Sequence, residues 1–591
     1  MSASSARTGA AAAVLLVMLP LAHALAEGAP TSLLPEAPVT ASPVVTPREA
    51  FPEVTNPRAE KVQVQELGVI DSNATGILDE AHGGLGSEMW AGTNMAVVQK
   101  VLPGLPAQTT SHAMRSLMRR LLLTTAAIPP GSKLAAGDSL IKLRADKLWA
   151  MGELDGLNAL LKGVPSSAVT PELRRLAVDT ALLAGDTATA CNETVALRAQ
   201  APADPFAAKL QVFCQLTAGK TNEASFGEDV LREQKINDPA FFAAADALAG
   251  IGSGKLGDAF AAPTPLTLAM ARAAKLPIPE AAAATPQPAL LRAIATTPTA
   301  SLEARLLAGE KAEALGAVDT DVLRQIYESV TFTPQELAAP VADKTTRGRA
   351  LLYRASLQQT LPTAKAEIIG KALTTATASG SDAYFTAARI YAPQIAGLKP
   401  APELVSFAVP AARALIAAGQ AEAAKPWISF ARAQGLGNTD IANAAASLAP
   451  LLRLLGPDDD RPMPPGALAV WRKARPDLSP DAQIRRGAVC LSLLSAFGEK
   501  IPSEEWLPLY DGPLLVTSLH PRPALWNGLR VATEDLRLGE TVLLSLASLG
   551  EPGLTQSDPS DLYRVVSGLR LLGLDADARA LAVEAAIANG V

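Results

Sequence analysis

Cysteine is scarce here: Cys191, Cys214 and Cys490 are the three in a chain of 591 residues. Three are too few for a disulfide framework or a cysteine-rich structural zinc site. Histidine is equally rare. Beyond residue 26 there are His82, His112 and His520, far apart and without H-x-x-x-H or H-E-x-x-H spacing, so no metal-binding helix is expected. Aromatic residues make up 4%, and the tryptophans at 90, 149, 427, 471, 506 and 526 stand singly, as core anchors do and a sugar-stacking row does not. Charge of one sign is lacking too. The net charge of −6 over 19% charged residues leaves no basic stripe, which excludes nucleic acid and an anionic membrane surface as expected partners. After residue 26 no uncharged apolar run approaches the roughly 18 residues of a membrane span, so no integral membrane segment is expected once that start is removed.

What the chain has is aliphatic bulk and alanine. Apolar residues total 49%, enough for an extensive core, and alanine is the residue that loses least on entering a helix. Residues 1–26 read as a signal peptide: Arg7, an apolar run from Ala10 to Leu21, and Ala24-Leu25-Ala26 as an A-x-A cleavage site before Glu27. Export to the periplasm follows, with a membrane tether as the alternative if the signal is kept. Residues 27–60 carry prolines at 30, 35, 38, 43, 47, 52 and 57, which predicts a disordered, extended linker. In 61–86, Val62 and Val64 alternate with polar residues and Gly83, Gly84 and Gly86 follow, which predicts an extended segment and a turn. From Ser87 the period is helical. Met114, Leu117, Met118, Leu121 and Leu122 form one face and Arg115, Arg119 and Arg120 the other. A helical block over 87–455, a Pro/Asp-rich loop at 456–466 and a second helical block over 467–591 complete the expected all-α organisation.

Within the helical blocks one turn recurs. Glycine ends a helix and alanine stands five residues on, at Gly185/Ala190, Gly219/Ala224, Gly309/Ala314, Gly419/Ala424 and Gly573/Ala578. Gly152 begins the same turn with Leu157 in the alanine place. Glycine supplies the left-handed conformation that closes the first helix, and the small side chain lets the second approach it. The pattern resembles the tetratricopeptide repeat, whose hairpins of about 34 residues turn at such a Gly-x4-Ala. It is a degenerate likeness that lacks most of the repeat's large aromatic and closing proline. The resemblance implies an α-solenoid. Ser87–Arg120 and Phe213–Glu233 also resemble uncharacterised, alanine-rich exported bacterial proteins labelled "antifreeze glycopeptide polyprotein". That label reflects Ala/Thr composition and implies no function here, because the tandem Ala-Ala-Thr triplets are missing.

In repeat register, Cys191 stands near the start of a second helix and Cys214 in the last turns of the next first helix. Those helices are consecutive and antiparallel, so a Cys191–Cys214 bridge is geometrically open and would contribute roughly 3 kcal/mol. Free buried thiols are the alternative. Cys490, between Val489 and Leu491, reads as a buried apolar residue.

The strings that suggest chemistry fail on context. Gly252-Ser253-Gly254-Lys255-Leu256-Gly257 satisfies G-x-G-x-x-G but follows a helical run, not a strand, and reads as an interhelical link. His82-Gly83-Gly84 has no G-x-S-x-G partner. Asp458-Asp459-Asp460 lacks the glycine and distal glutamate of a calcium loop. No catalytic residue, cofactor or metal is therefore expected. The leading expectation is a non-enzymatic periplasmic scaffold or adaptor that holds a protein partner on a helical-repeat surface. A part in a cell-envelope machine is the first alternative, since exported helical proteins of flagellar-motility type are similar in plan. A peptidoglycan-active enzyme is the second, since lytic transglycosylases are similar in carrying an alanine-rich superhelix. That enzyme would need a lysozyme-like C-terminal domain, whereas residues 561–588 return to the repeat pattern.

Overall fold

The computed structural model describes residues 71–131, 139–251, 258–456, 466–475, 478–512, 520–551 and 553–591. The signal, the Pro-rich linker, Val62 and Val64, the 252–257 glycine string and Asp458–Asp460 lie outside them. The described residues are all-α. They form helices joined by short turns, with no strand and two isolated bridges, Leu78 with Thr124 and Ile278 with Ala300. No helix among them is long and apolar enough to cross a membrane.

Five of the six glycine turns take the same backbone form. Gly152, Gly185, Gly219, Gly419 and Gly573 all have φ between 69° and 81°. In each, the amide after the glycine donates to the carbonyl five residues back, as from Glu153 to Leu148 and from Gln420 to Leu415, at 2.8–2.9 Å. This is the hydrogen bond that satisfies an orphaned helix-end carbonyl. The residue five places beyond the glycine (Leu157, Ala190, Ala224, Ala424 or Ala578) is fully buried. The paired helices 205–217 with 221–233, 408–417 with 421–435, and 559–571 with 575–588 pack side by side across these turns.

Gly309 is a correction. It lies inside the helix Leu302–Ala314, and the turn comes at Gly316, with φ 63° and an Ala317-to-Ala312 bond of 2.7 Å. The string is the same but the physical role differs. A Cβ on Gly309 would stand 2.8 Å from Ile326 Cδ1, so the glycine serves close approach to the helix Thr320–Ser329. Of the 61–86 segment, the part read as extended lies outside the described residues, and the part from Asp71 onward is described. It contains two 3-10 turns, Ser72–Ala74 and Glu80–His82, in which the Asp71 and Asp79 side chains accept from the amides of Asn73 and His82. Regular helix begins at Met95, because Met89 and Trp90 are spent docking against Gly539 of a helix far along the chain.

Arginine side chains tie helix ends to other helices. The guanidinium of Arg144 is buried and donates to the carbonyls of Leu122 (2.6 Å), Thr124 (3.2 Å) and Thr75 (2.6 Å), just where the helix His112–Leu123 ends. Arg272 does the same for Leu182 and Leu183, Arg570 for Ala496, and Arg579 for Leu454. A cation on exposed C-terminal carbonyls is favoured both by hydrogen bonding and by the helix dipole. Arg324 solves a related problem: Pro393, inside the helix Ser381–Gly397, deprives the Arg389 carbonyl of its donor, and Arg324 Nη2 replaces it at 2.6 Å.

The described residues from Val69 onward belong to one compact unit, and its beginning packs on its end. The 112–123 helix contacts both Leu538–Leu549 and Asp575–Ala588. Glu584, buried on the last helix, accepts from Ser111 Oγ (2.7 Å) and from the amides of His112 and Ala113 (both 2.9 Å), capping the 112–123 helix from outside. Arg120 pairs with Asp577 beside it. On either side of the 456–466 loop, the helices Ala449–Leu455 and Pro480–Ala496 pack on each other and on the last helix.

Candidate functional site

A cleft of about 710 Å³ opens where the ends of several helices meet. The helices 362–377 and 381–397 contribute Thr377 and Tyr384, the helix Ala408–Ala417 contributes Arg413, and Thr439–Ala446 contributes Asp440 and Asn443. Lys473 and Arg475 come from the end of Ala467–Lys473 and the turn beyond it, Arg486 from 480–496, and Asn589 from the chain end. A second cleft of about 510 Å³, reaching Glu367, Glu403 and Phe407, shares Thr377, Tyr384, Arg413 and Arg475 with the first.

Charge is unevenly distributed in the larger cleft. Among its described lining residues Arg413, Lys473, Arg475 and Arg486 are cationic and Asp440 alone is anionic. Arg486 is held rigidly, stacked over Trp471 and donating from Nε to the Gly590 carbonyl at 2.7 Å. Burial lowers the pKa of Arg413, the Tyr384 hydroxyl works against that, and Arg475 lowers it further. Burial raises the Tyr384 pKa, so that hydroxyl is a neutral donor and acceptor. Such an arrangement suits carboxylates or other anions, which several positioned cations hold without any bond being made.

A second polar cluster sits where the chain closes. Glu313, fully buried, accepts from Arg389 (2.7 and 2.9 Å), Thr386 (2.7 Å) and Thr320 (2.9 Å). Burial pushes its pKa up, but Arg389 and Thr386 outweigh that and hold it below the ordinary carboxylate range. His112 Nε2 donates to the Glu313 carbonyl at 3.2 Å. Burial first, and then Arg389, push the His112 pKa down to about 4. This is a neutral imidazole, partly buried beside the Glu313–Arg389 pair and suited to structure rather than proton transfer.

The third cluster was not legible in the sequence. His520 stands between two carboxylates of the helix Pro559–Leu571 and its cap, with Nδ1 3.2 Å from Asp561 and Nε2 3.7 Å from Asp558. Burial raises the Asp561 pKa and His520 lowers it. These three residues could hold a divalent cation. Each ring nitrogen faces a different carboxylate, and no ion is needed to bring the three side chains together.

Of the residues singled out from sequence, Cys191 and Cys214 are bonded, with Cα atoms 5.7 Å apart, joining the helix Thr187–Asn192 to Pro205–Thr217. Cys490 is buried and its thiol pKa is pushed up to about 12 by that burial. His82 is exposed and pairs with Asp79. Trp90, Trp427 and Trp471 are core residues. The residues of the cationic cleft were not singled out, because each stands alone in sequence. Compared with known protein families, curated proteins and solved structures, the chain has no match.

Proposed function

We propose that this chain is an exported, non-enzymatic scaffold, a degenerate tetratricopeptide-like helical array, that holds an acidic segment of a partner protein in the Arg413 cleft. The supporting observation is the cleft's charge: four cations to one carboxylate among the described lining residues, in a chain whose net charge is negative. The glycine turns support the repeat reading: four Gly-x4-Ala copies and the Gly152/Leu157 turn build hairpins with the partner residue buried. Contact between the 112–123 helix and the last helix would fix the array's curvature and hold the cleft's walls in register. The signal-like start and Pro-rich linker support export into the periplasm, with the array on an extended tether.

The test is a titration of the processed chain with a fluorescein-labelled, glutamate-rich peptide, beside an assay for peptidoglycan release. Saturable binding that weakens about tenfold or more in Arg413→Gln/Lys473→Gln, and falls with added salt, is expected, with no release. Equal affinity in the double variant would remove the cleft from the proposal. Peptidoglycan release abolished by a single Glu or Asp substitution would replace the scaffold with an enzyme.

A further inference from the structure

The two clefts that meet at Arg413 differ in charge. Beyond the residues they share, the larger carries Lys473 and Arg486 against Asp440. The smaller carries two carboxylates, Glu367 and Glu403, and no cation of its own among the described residues. Glu403 is exposed at the start of the 3-10 helix Pro402–Phe407, and among the described residues no cation pairs with it. Glu367 pairs with Lys371 one turn on, at 2.9 Å, but both side chains are exposed and such a pair is worth little. Much of the remaining wall is apolar, with the exposed Pro410 and the half-buried Val409 beside Leu404 and Phe407.

Arg413 joins the two clefts. It is half-buried, lines both, and meets the Tyr384 hydroxyl but no carboxylate among the described residues. A cation taken partly out of water is usually paired. A carboxylate is the group this junction lacks. A ligand lying across it meets cations on one side and carboxylates beside apolar surface on the other. A uniformly acidic chain is repelled by Glu367 and Glu403, and a uniformly basic one by Lys473 and Arg486.

We propose that the two clefts form one bipartite groove for a charge-segregated segment of the partner protein. Its acidic residues lie in the larger cleft, with one carboxylate on Arg413. An adjoining apolar residue and a lysine or arginine lie in the smaller cleft. The proposal rests on the acidic-segment reading of the Arg413 cleft and adds the order of charges along that segment. Opposed charges on adjoining surfaces fix register and direction, by rejecting the wrong arrangement as well as by holding the right one.

Three labelled peptides titrated into the full chain test it. The first is a glutamate block, the second the same block followed by leucine, lysine and arginine, and the third has those three residues interspersed among the glutamates. The second is expected to bind about tenfold tighter than the first, roughly the contribution of one buried apolar side chain. The third should lose that gain. Glu403→Lys/Ser406→Trp, at two exposed positions of the smaller wall, is expected to remove the gain as well. The same variant should hold the glutamate block within about twofold of its wild-type affinity, which also shows that it is folded. Should it fail to fold, the three affinities for the wild-type chain still decide the matter. No saturable binding of the glutamate block to the wild-type chain would overturn the acidic-segment reading and the groove with it. Glutamate-block binding that depends on Arg413, with the second peptide no tighter than the first or the third, would overturn the groove alone. So would a gain that persists in the folded double variant.

Discussion

Acid should loosen the fold through His112. Its pKa lies near 4 in the folded chain against an ordinary 6.5, so between those values the unfolded chain binds more protons than the native one. Stability therefore rises as pH climbs from about 4 to about 6.5 and is lost as pH falls through that window. At about 1.4 kcal/mol for each tenfold in proton affinity, the full effect is about 3 kcal/mol. The cause is burial, reinforced by Arg389 and only partly offset by Glu313. Asp179 acts in the opposite direction, because burial raises its pKa to about 6. A wild-type pH profile alone would therefore mix several groups. The informative quantity is the difference between wild type and His112→Gln, in which every other titrating group is shared. Urea unfolding followed by circular dichroism at pH 4.5 and 7 should give a wild-type loss about 2–3 kcal/mol larger than that of the variant. Equal losses in the two proteins would refute the assignment of a neutral, partly buried His112.

Other parts of the fold make separate predictions. Arg144→Met should destabilise by about 3–5 kcal/mol in chemical unfolding, since it removes a fully buried cation and orphans carbonyls at the end of the 112–123 helix. Gly309→Ala should cost about 1–3 kcal/mol through overpacking against Ile326, although alanine is the better helix former, and the melting temperature reports the sign. Replacing Cys191 and Cys214 by serine should cost about 3 kcal/mol for a loop of this length, and a melting curve unchanged by reductant in the wild-type chain would contradict that.

How much of this was legible in the sequence depended on the range of each interaction. The helix-ending glycines at 152, 185, 219, 419 and 573 could be read because their conformation is a local requirement and the buried residue follows at fixed spacing. Gly309 matched the same string for another reason, close packing, which local sequence does not distinguish. The same kind of turn also occurs without glycine: Lys235, Lys275 and Leu536 have φ near 55°, a costly conformation that no residue type announces. The clusters that close the chain join positions hundreds of residues apart, such as Ser111 with Glu584 and His112 with Glu313. Nothing in a single sequence pairs them. The cationic cleft was hidden for a similar reason: Arg413, Lys473 and Arg486 lie on different helices, and each alone reads as an ordinary surface charge. The segments read as signal and linker, and the 252–257 glycine string, fall outside the described residues.

Where the partner sits on the molecule tests the central claim most directly. A photoreactive benzoylphenylalanine placed at Asn443, in the cleft wall, can be compared with one at Phe226, exposed on a helix that does not line the cleft. Cross-linking in cells followed by mass spectrometry should give one dominant protein product from position 443, joined through an acidic peptide, and none of it from 226. Cross-linking of that product at 226 alone, or of no protein at 443, would contradict a scaffold that grips its partner in the Arg413 cleft.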